Sequence, residues 1–265
     1  MGPPVTSPPE DASAAAARPM IDIRGLHKSF GANKVLTGIN LAVPAGTTCV
    51  ILGGSGSGKT VLMKHMIGLL KPDAGEVLVD GEDLVPLGAE GLERVRHKFG
   101  MVFQAAALFD SMTVYDNVAF PLREHRALPE DEVRARVRSR LELMGLARSV
   151  EDKFPADLSG GMRKRVGLAR AIVMDPKIVL YDEPTTGLDP ITTDYVDEMI
   201  LAAQRELGIT SVVISHDVAS AFNIAHQIAF LSKGVILEQG PPEQLRASEQ
   251  PAVKLFLQTW FGKND

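Results

Sequence analysis

Four short stretches of the chain are apolar through their interiors, and each is closed by a residue of a different kind. Thr48–Leu52 runs into Gly53, Phe99–Phe103 into Gln104, Ile178–Tyr181 into Asp182 and Glu183, and Ser211–Ser215 into His216. Runs of this length, rich in β-branched residues, predict buried strands of a largely parallel sheet. Shorter or alternating patterns predict further strands at Met20–Ile23, Asn40–Val43 and Glu76–Asp80, and a hairpin of Gln227–Ser232 with Val235–Gln239 around Lys233-Gly234. Helical spacing appears in Val61–Leu70 and in Val133, Val137, Leu141 and Met144. It recurs in Ile191, Tyr195, Met199, Ala203 and Leu207, and in a last helix carrying Phe256, Trp260 and Phe261. Residues 105–175 are dominated by such helical patterns, so they read as a helical insertion in an α/β alternation that resumes near Lys177. The expected organisation is a disordered tail over 1–19, one domain over 20–240, and a helical extension over 241–265. The tail has prolines at 3, 4, 8, 9 and 19 and no periodic apolar face. Ligands of such a doubly wound sheet bind at the carboxyl ends of its strands.

Composition narrows the picture. With 265 residues, 45% hydrophobic, 23% charged and a net charge of −5, the chain is an ordinary globular one with no basic footprint for nucleic acid. Cys49, the one cysteine, excludes an internal disulfide and falls in a predicted buried strand. No apolar run reaches membrane-spanning length and the start lacks a signal-peptide pattern, so a soluble intracellular protein is expected, brought to a membrane only by a partner. Arg134, Arg136, Arg138 and Arg140 lie off the apolar face of their helix, as a solvated surface or a contact to anionic lipid or another subunit.

Candidate chemistry centres on Gly53, Gly54, Ser55, Gly56, Ser57, Gly58, Lys59 and Thr60, a full match to the phosphate-binding pattern between a strand and a helix that begins with Val61. Its glycines let successive N–H groups face phosphate oxygens at a helix N-terminus, while Lys59 reaches the β- and γ-phosphates and Thr60 a Mg²⁺ ion. Asp182, closing an apolar strand, is the expected Mg²⁺ carboxylate, and Glu183 the general base toward water. Leu158-Ser159-Gly160-Gly161-Met162 opens another helix, with Ser159 as N-cap and free N–H groups at the glycines. Two phosphate-binding helix starts in one chain suggest sites shared between two copies. Phe30 is a core residue or a platform for a flat ring.

The ordered set Gly53–Thr60, Gln104, Leu158–Met162, Ile178–Glu183, Gly187-Leu188-Asp189 and His216 resembles the ATPase subunit of an ABC transporter, over about residues 20–240. The resemblance implies a P-loop NTPase (RecA-like) core of mostly parallel sheet, with an antiparallel β subdomain and an inserted helical subdomain. It implies a head-to-tail homodimer that traps two ATP with Mg²⁺. In that frame Phe30 stacks on adenine, and Ser159, Gly160 and Gly161 touch the nucleotide bound to the opposite copy. Gln104 links metal and water to the helical subdomain, Asp189 communicates across the dimer, and His216 contacts the γ-phosphate. Glu183, His216, Gln104 and Lys59 are thus the implied catalytic set, and Thr60, Gln104 and Asp182 the implied metal ligands.

Leu108–His125 and Gly160–Arg165, with Asp189-Pro190-Ile191-Thr192 in support, are similar to the Mla/MCE-type ATPases that energise lipid traffic between bacterial membranes. That similarity implies a transmembrane permease, an MCE-domain lipid-binding protein, a small regulatory subunit, and a place at the cytoplasmic face of the inner membrane. Trp260-Phe261 is implied as a contact to the other copy or to its own domain. Gly54, where many relatives have proline, and Met162, where glutamine is commoner, supply no side chain to the phosphate chemistry. Rival readings are a transport ATPase for another cargo, a soluble mechanical ATPase and an ATP-holding module. The single P-loop, the lack of sustained heptads and Glu183 weigh against the last two.

Overall fold

A computed structural model describes residues 18–261. Most of the tail expected to be disordered, residues 1–17, lies outside the described residues, as does the side chain of Phe261. The chain opens with an antiparallel hairpin of β1 (Ile21–Phe30) and β2 (Asn33–Val43), then β3 (Thr48–Leu52) and α1 (Lys59–Met66). Next come β4 (Ala74–Val79), β5 (Glu82–Asp83), α2 (Ala89–Arg96) and β6 (Phe99–Val102). Three helices follow, α3 (Val114–His125), α4 (Glu130–Leu143) and α5 (Gly160–Ile172). The order then runs β7 (Ile178–Asp182), α6 (Pro190–Leu207), β8 (Thr210–Ser215), α7 (Val218–Ile224), β9 (Gln227–Ser232), β10 (Val235–Gly240), α8 (Pro242–Arg246) and α9 (Pro251–Phe261). A six-stranded sheet has the order β10-β9-β3-β8-β7-β6, parallel except at β10, and a four-stranded antiparallel sheet the order β2-β1-β4-β5.

Strand alternation sorts the large sheet between two cores. Val50, Leu52, Val179, Tyr181 and Val213 face the helical core with α3 to α6, whereas Cys49, Ile51, Ile178, Leu180, Val212 and Ile214 face α1 and the antiparallel sheet. Burial on both faces explains why these strands read as continuous apolar runs.

Departures from the sequence expectations have local causes. β1 and β2 are longer than the strands expected at Met20–Ile23 and Asn40–Val43. A register shift between Ile23 and Leu26, where Gly25 takes φ 53°, moves the buried set from odd to even positions and hides the continuation. α1 stops at Met66 rather than continuing to Leu70, because Gly68 at φ 64° turns the chain away. On α6, Ile191 and Tyr195 are 70% and 56% exposed, and the buried line is Val196, Met199, Ile200 and Ala203. A row taken every fourth residue rotates by about 40° per step, so Ile191 and Leu207 cannot share a face.

On α4 the apolar row Val133, Val137 and Leu141 is buried, with Met144 beyond it. Its arginines are tied down within the chain. Arg136 pairs with Glu132 at 3.0 Å and Asp175 at 2.9 Å, Arg140 with Asp175 at 2.5 Å, and Arg138 with Glu151 at 3.0 Å. Arg134 lies over the Tyr115 ring at 5.6 Å. Nearby acids thus pair three of the four, while exposed Arg134 has no ion pair within 4.0 Å among the described residues. α9 packs on its own chain, with Phe256 edge-on to Phe230 at 5.0 Å between centroids and Trp260 against the helical core.

Candidate functional site

β3, β8, β7 and β6 are neighbours, in parallel register with Leu52 beside Ser215, Asp182 beside Ile214 and Val102 beside Tyr181. Their carboxyl ends therefore share one edge. That edge gathers Gly53, His216, Asp182, Glu183 and Gln104, which are far apart along the chain.

The loop after β3 requires its glycines. A Cβ on Gly53 would stand 2.2 Å from the backbone oxygen of Leu231 and 2.9 Å from Ser57 Oγ. Gly58 takes φ 108°, and a Cβ there would meet Leu36 Cδ2 at 2.8 Å. Lys59 folds back, donating from Nζ to the carbonyls of Gly53 at 2.8 Å and Gly54 at 3.1 Å. Burial lowers the pKa of its ammonium, opposed by the charges of Glu183 and Asp182. The Ser57 hydroxyl is buried with no hydrogen-bond partner among the described residues, while Ser55 and Thr60 are exposed at the loop's surface. A glycine cradle with an orphaned hydroxyl and a buried ammonium fits a polyphosphate.

Asp182 is pushed above the usual carboxylate range by burial and then by the neighbouring Glu183, with Lys59 and Lys64 opposing. Glu183 lies at φ 49° and donates its N–H to Ile214 O at 2.9 Å. Its Oε2 accepts from the Thr186 hydroxyl at 2.9 Å and lies 3.1 Å from His216 Nδ1. Gln104 is exposed just beyond β6. Among the described residues no group of three His, Cys, Asp or Glu is placed to cage a metal. The donor set of Thr60 hydroxyl, Gln104 amide and Asp182 carboxylate suits instead a Mg²⁺ ion that takes most of its ligands from phosphate and water.

The remaining expected residues stand apart from this edge. Ser159 caps α5, its hydroxyl accepting from Met162 N at 3.2 Å, with Gly160 and Gly161 following. Gly161 abuts α6, where an added Cβ would meet Thr192 Cγ2 at 2.8 Å. Asp189 caps α6, accepting from the N–H and hydroxyl of Thr192 at 3.0 and 2.6 Å, bonds that hold its carboxyl below the usual range. The signature turn and Asp189 are thus neighbours within one chain. Phe30, at the end of β1, is 49% exposed with Lys28 Nζ 5.6 Å from its ring, so it is not a core residue. The same hairpin passes the phosphate loop at Leu36 and Gly58.

Sequence reasoning missed Thr186, which no motif spacing marks, and a groove of about 510 Å³ beside β6. The groove is lined among others by His97, Phe103, Phe109, Phe120 and Arg170. Phe103 and Phe109 are 41% and 42% exposed, and the guanidinium of Arg170 lies 5.7 Å from the Phe109 ring. The aromatic spacing around Gln104 is the one sequence signal for it.

Comparison with known proteins agrees with this geometry. The ABC transporter family matches residues 36–186. The chain is 44% identical over 237 residues to the probable ribonucleotide transport ATP-binding protein mkl of Mycobacterium leprae, covering 89% of this chain and 68% of that one. It is 40% identical over 238 residues to the intermembrane phospholipid transport system ATP-binding protein MlaF of Escherichia coli, covering 90% and 88%. Among solved structures, cbiO1 of Clostridium perfringens, part of an ABC transporter complex, superposes with a TM-score of 0.82 at 32% identity over 91% of this chain and 96% of that one. A dimeric ATP-binding cassette in a post-hydrolysis state with ADP and Pi superposes with a TM-score of 0.76 at 31% identity, over 84% and 99%. With these motifs assembled at the carboxyl edge of such a sheet, the chain belongs to the ABC transporter family and is an ATPase of that family.

Proposed function

We propose that the chain is the ATP-hydrolysing subunit of a transporter that moves phospholipid or a related hydrophobic lipid between bacterial membranes. The observation that carries the cargo is the 40% identity to MlaF, a phospholipid transport protein, along 90% of this chain and 88% of MlaF. A ribonucleotide cargo is the second reading, favoured by the higher 44% identity to mkl, of which the chain spans 68%.

In this reading Gly53–Thr60 hold the triphosphate through backbone N–H groups, and Lys59 turns from the loop carbonyls to the phosphates. Phe30 stacks on the adenine. Thr60, Gln104 and Asp182 would hold Mg²⁺, which offsets the phosphate charge when bound. Thr186 and His216 both engage Oε2 of Glu183, so Oε1 accepts the proton of the attacking water. His216 also contacts the γ-phosphate. Ser159, Gly160 and Gly161 dock on the nucleotide of a second copy, and Asp189 crosses to it beside them, consistent with their adjacency through Gly161 and Thr192. ATP binds the closed head-to-tail dimer better than the open one, so binding closes it and hydrolysis releases it.

The aromatic groove carrying Phe103, Phe109 and Arg170 receives a cytoplasmic segment of the permease. No helix among the described residues is long and apolar enough to cross a membrane. In this reading the permease holds the chain at the cytoplasmic face of the inner membrane. An MCE-domain lipid-binding protein and a small regulatory subunit on the helical subdomain complete the assembly, within the domain limits expected from sequence.

The test is a mild-detergent pull-down of the tagged full chain from native membranes, with co-purifying proteins and lipids identified by mass spectrometry. A permease with an MCE-domain protein and enriched phospholipid is expected. A permease with a ribonucleotide-binding protein would favour the second cargo. No membrane protein at all would overturn the transporter assignment.

A further inference from the structure

The signature helix and the catalytic carboxylate are joined inside one copy by a short chain of hydrogen bonds. Lys164 lies just over one turn into α5 from its Ser159 cap. Its ammonium donates to the carbonyls of Pro184 and Thr186, the second at 3.0 Å. Thr186 donates its hydroxyl to Glu183 Oε2 at 2.9 Å and its N–H to Glu183 O at 3.3 Å. Lys164 forms no ion pair with a carboxylate within 4.0 Å among the described residues, and burial lowers its pKa. The ammonium is therefore committed to two backbone carbonyls of the loop that follows the catalytic glutamate. Glu183 sits in the left-handed region at φ 49°, so its direction depends on that loop rather than on strand geometry.

We propose that Lys164 and Thr186 are positioning residues that couple the two nucleotide sites of the dimer. The proposal rests on the head-to-tail reading above, in which Ser159 meets the nucleotide of the partner. Movement of α5 when Ser159 docks is carried by Lys164 into the Pro184–Thr186 loop, and Thr186 then aims Glu183 at the water of its own site. The coupling runs from the partner's nucleotide to this copy's glutamate. A charge-assisted bond to a peptide carbonyl is strong enough to hold such a loop, and a methionine of similar length offers no donor.

Mixed dimers of the full-length chain, purified through two different tags, separate this from a structural role. One copy carries Glu183→Gln, so turnover reports only the other copy's site. Lys164→Met placed in the copy with intact Glu183 should lower kcat about tenfold, with the ATP Kd changed by less than about twofold. The same substitution in the Glu183→Gln copy should cost clearly less. Thr186→Val should reproduce the loss and Thr186→Ser restore it. An equal or larger loss from the opposite copy would mean that Lys164 merely holds Ser159 in place, and would overturn the proposal. So would a Thr186→Ser variant as slow as Thr186→Val. Sedimentation of the Glu183→Gln homodimer with ATP, done first, tests the shared site by itself, because it leaves Lys164 and Thr186 intact.

Discussion

Asp197 is a carboxylate with too few partners. It lies on α6, 1% exposed, with Ser220 Oγ donating to Oδ1 at 2.6 Å and Asn223 Nδ2 donating to Oδ2 at 3.2 Å. No cation pairs with it among the described residues, and Asp217 and Asp194 add like charge. Burial is the main cause of a pKa above the ordinary 3.8. The native state therefore binds a proton that the unfolded chain has already released. Stability from this group is present below pH 3.8 and is lost as pH rises through the raised native value. Asp197→Asn keeps an oxygen for the Ser220 hydroxyl and removes the buried charge, and Asn223 can turn its amide to present an acceptor to the new one. Desolvating a carboxylate costs several kcal/mol, which hydrogen bonds from two neutral donors only partly offset. The variant should therefore gain about 1–2 kcal/mol near pH 8, or about 2–8 °C in Tm. Thermal unfolding of both proteins between about pH 4.5 and about pH 8 should show the gap widening with pH and then levelling. A variant less stable than the parent at pH 8, or a gap that does not change with pH, would refute the reasoning. Asp197 and Ser220 also tie the helix that follows Asp189 to the helix that follows His216, so ATP turnover of the variant is worth recording alongside.

Other outcomes follow from the same geometry. Glu183→Gln should retain ATP binding, lose turnover and accumulate as an ATP-dependent dimer in sedimentation; a monomer with ATP bound would count against the shared site. Phe30→Ala, at a position 49% exposed, should leave Tm nearly unchanged but weaken ATP binding in calorimetry by about 5- to 100-fold, the worth of one stacked base. An unchanged Kd would remove Phe30 from the site. Asp80 is held below the usual range by hydrogen bonds from Lys98 and then Lys177, each 2.9 Å, so its contribution is present above pH 3.8 and lost as pH falls through the depressed value. Asp80→Asn, which tolerates the φ of 50° there, should cost about 1 kcal/mol in urea unfolding at neutral pH and little in acid. A cost that persists in acid would place its origin outside the ion pairs.

Sequence by itself determined what is written in consecutive residues. The phosphate loop was legible because its motif is consecutive: a strand, glycines with Gly58 at φ 108°, and Lys59-Thr60 at the helix start, although the close approach of Leu231 and Leu36 to those glycines is tertiary. The central strands were legible because burial on both faces makes each a continuous apolar run. The cap Ser159 was readable for the same reason, since it bonds its own first turn, whereas the capping role of Asp189 came only with the structure. Tertiary structure decided the rest. The bulge at Gly25 reversed the strand's phase, the drift of α6 exposed Ile191 and Tyr195, and acids from distant loops claimed three arginines of α4. The contact of His216 with Glu183 depends on β7 lying beside β8, and the reach of Lys164 to the loop after β7 on α5 lying against it, whereas Thr186 bonds Glu183 from only three residues away. Local motifs carry their own backbone geometry, whereas strand order and helix contacts arise only when the whole chain buries its apolar faces together.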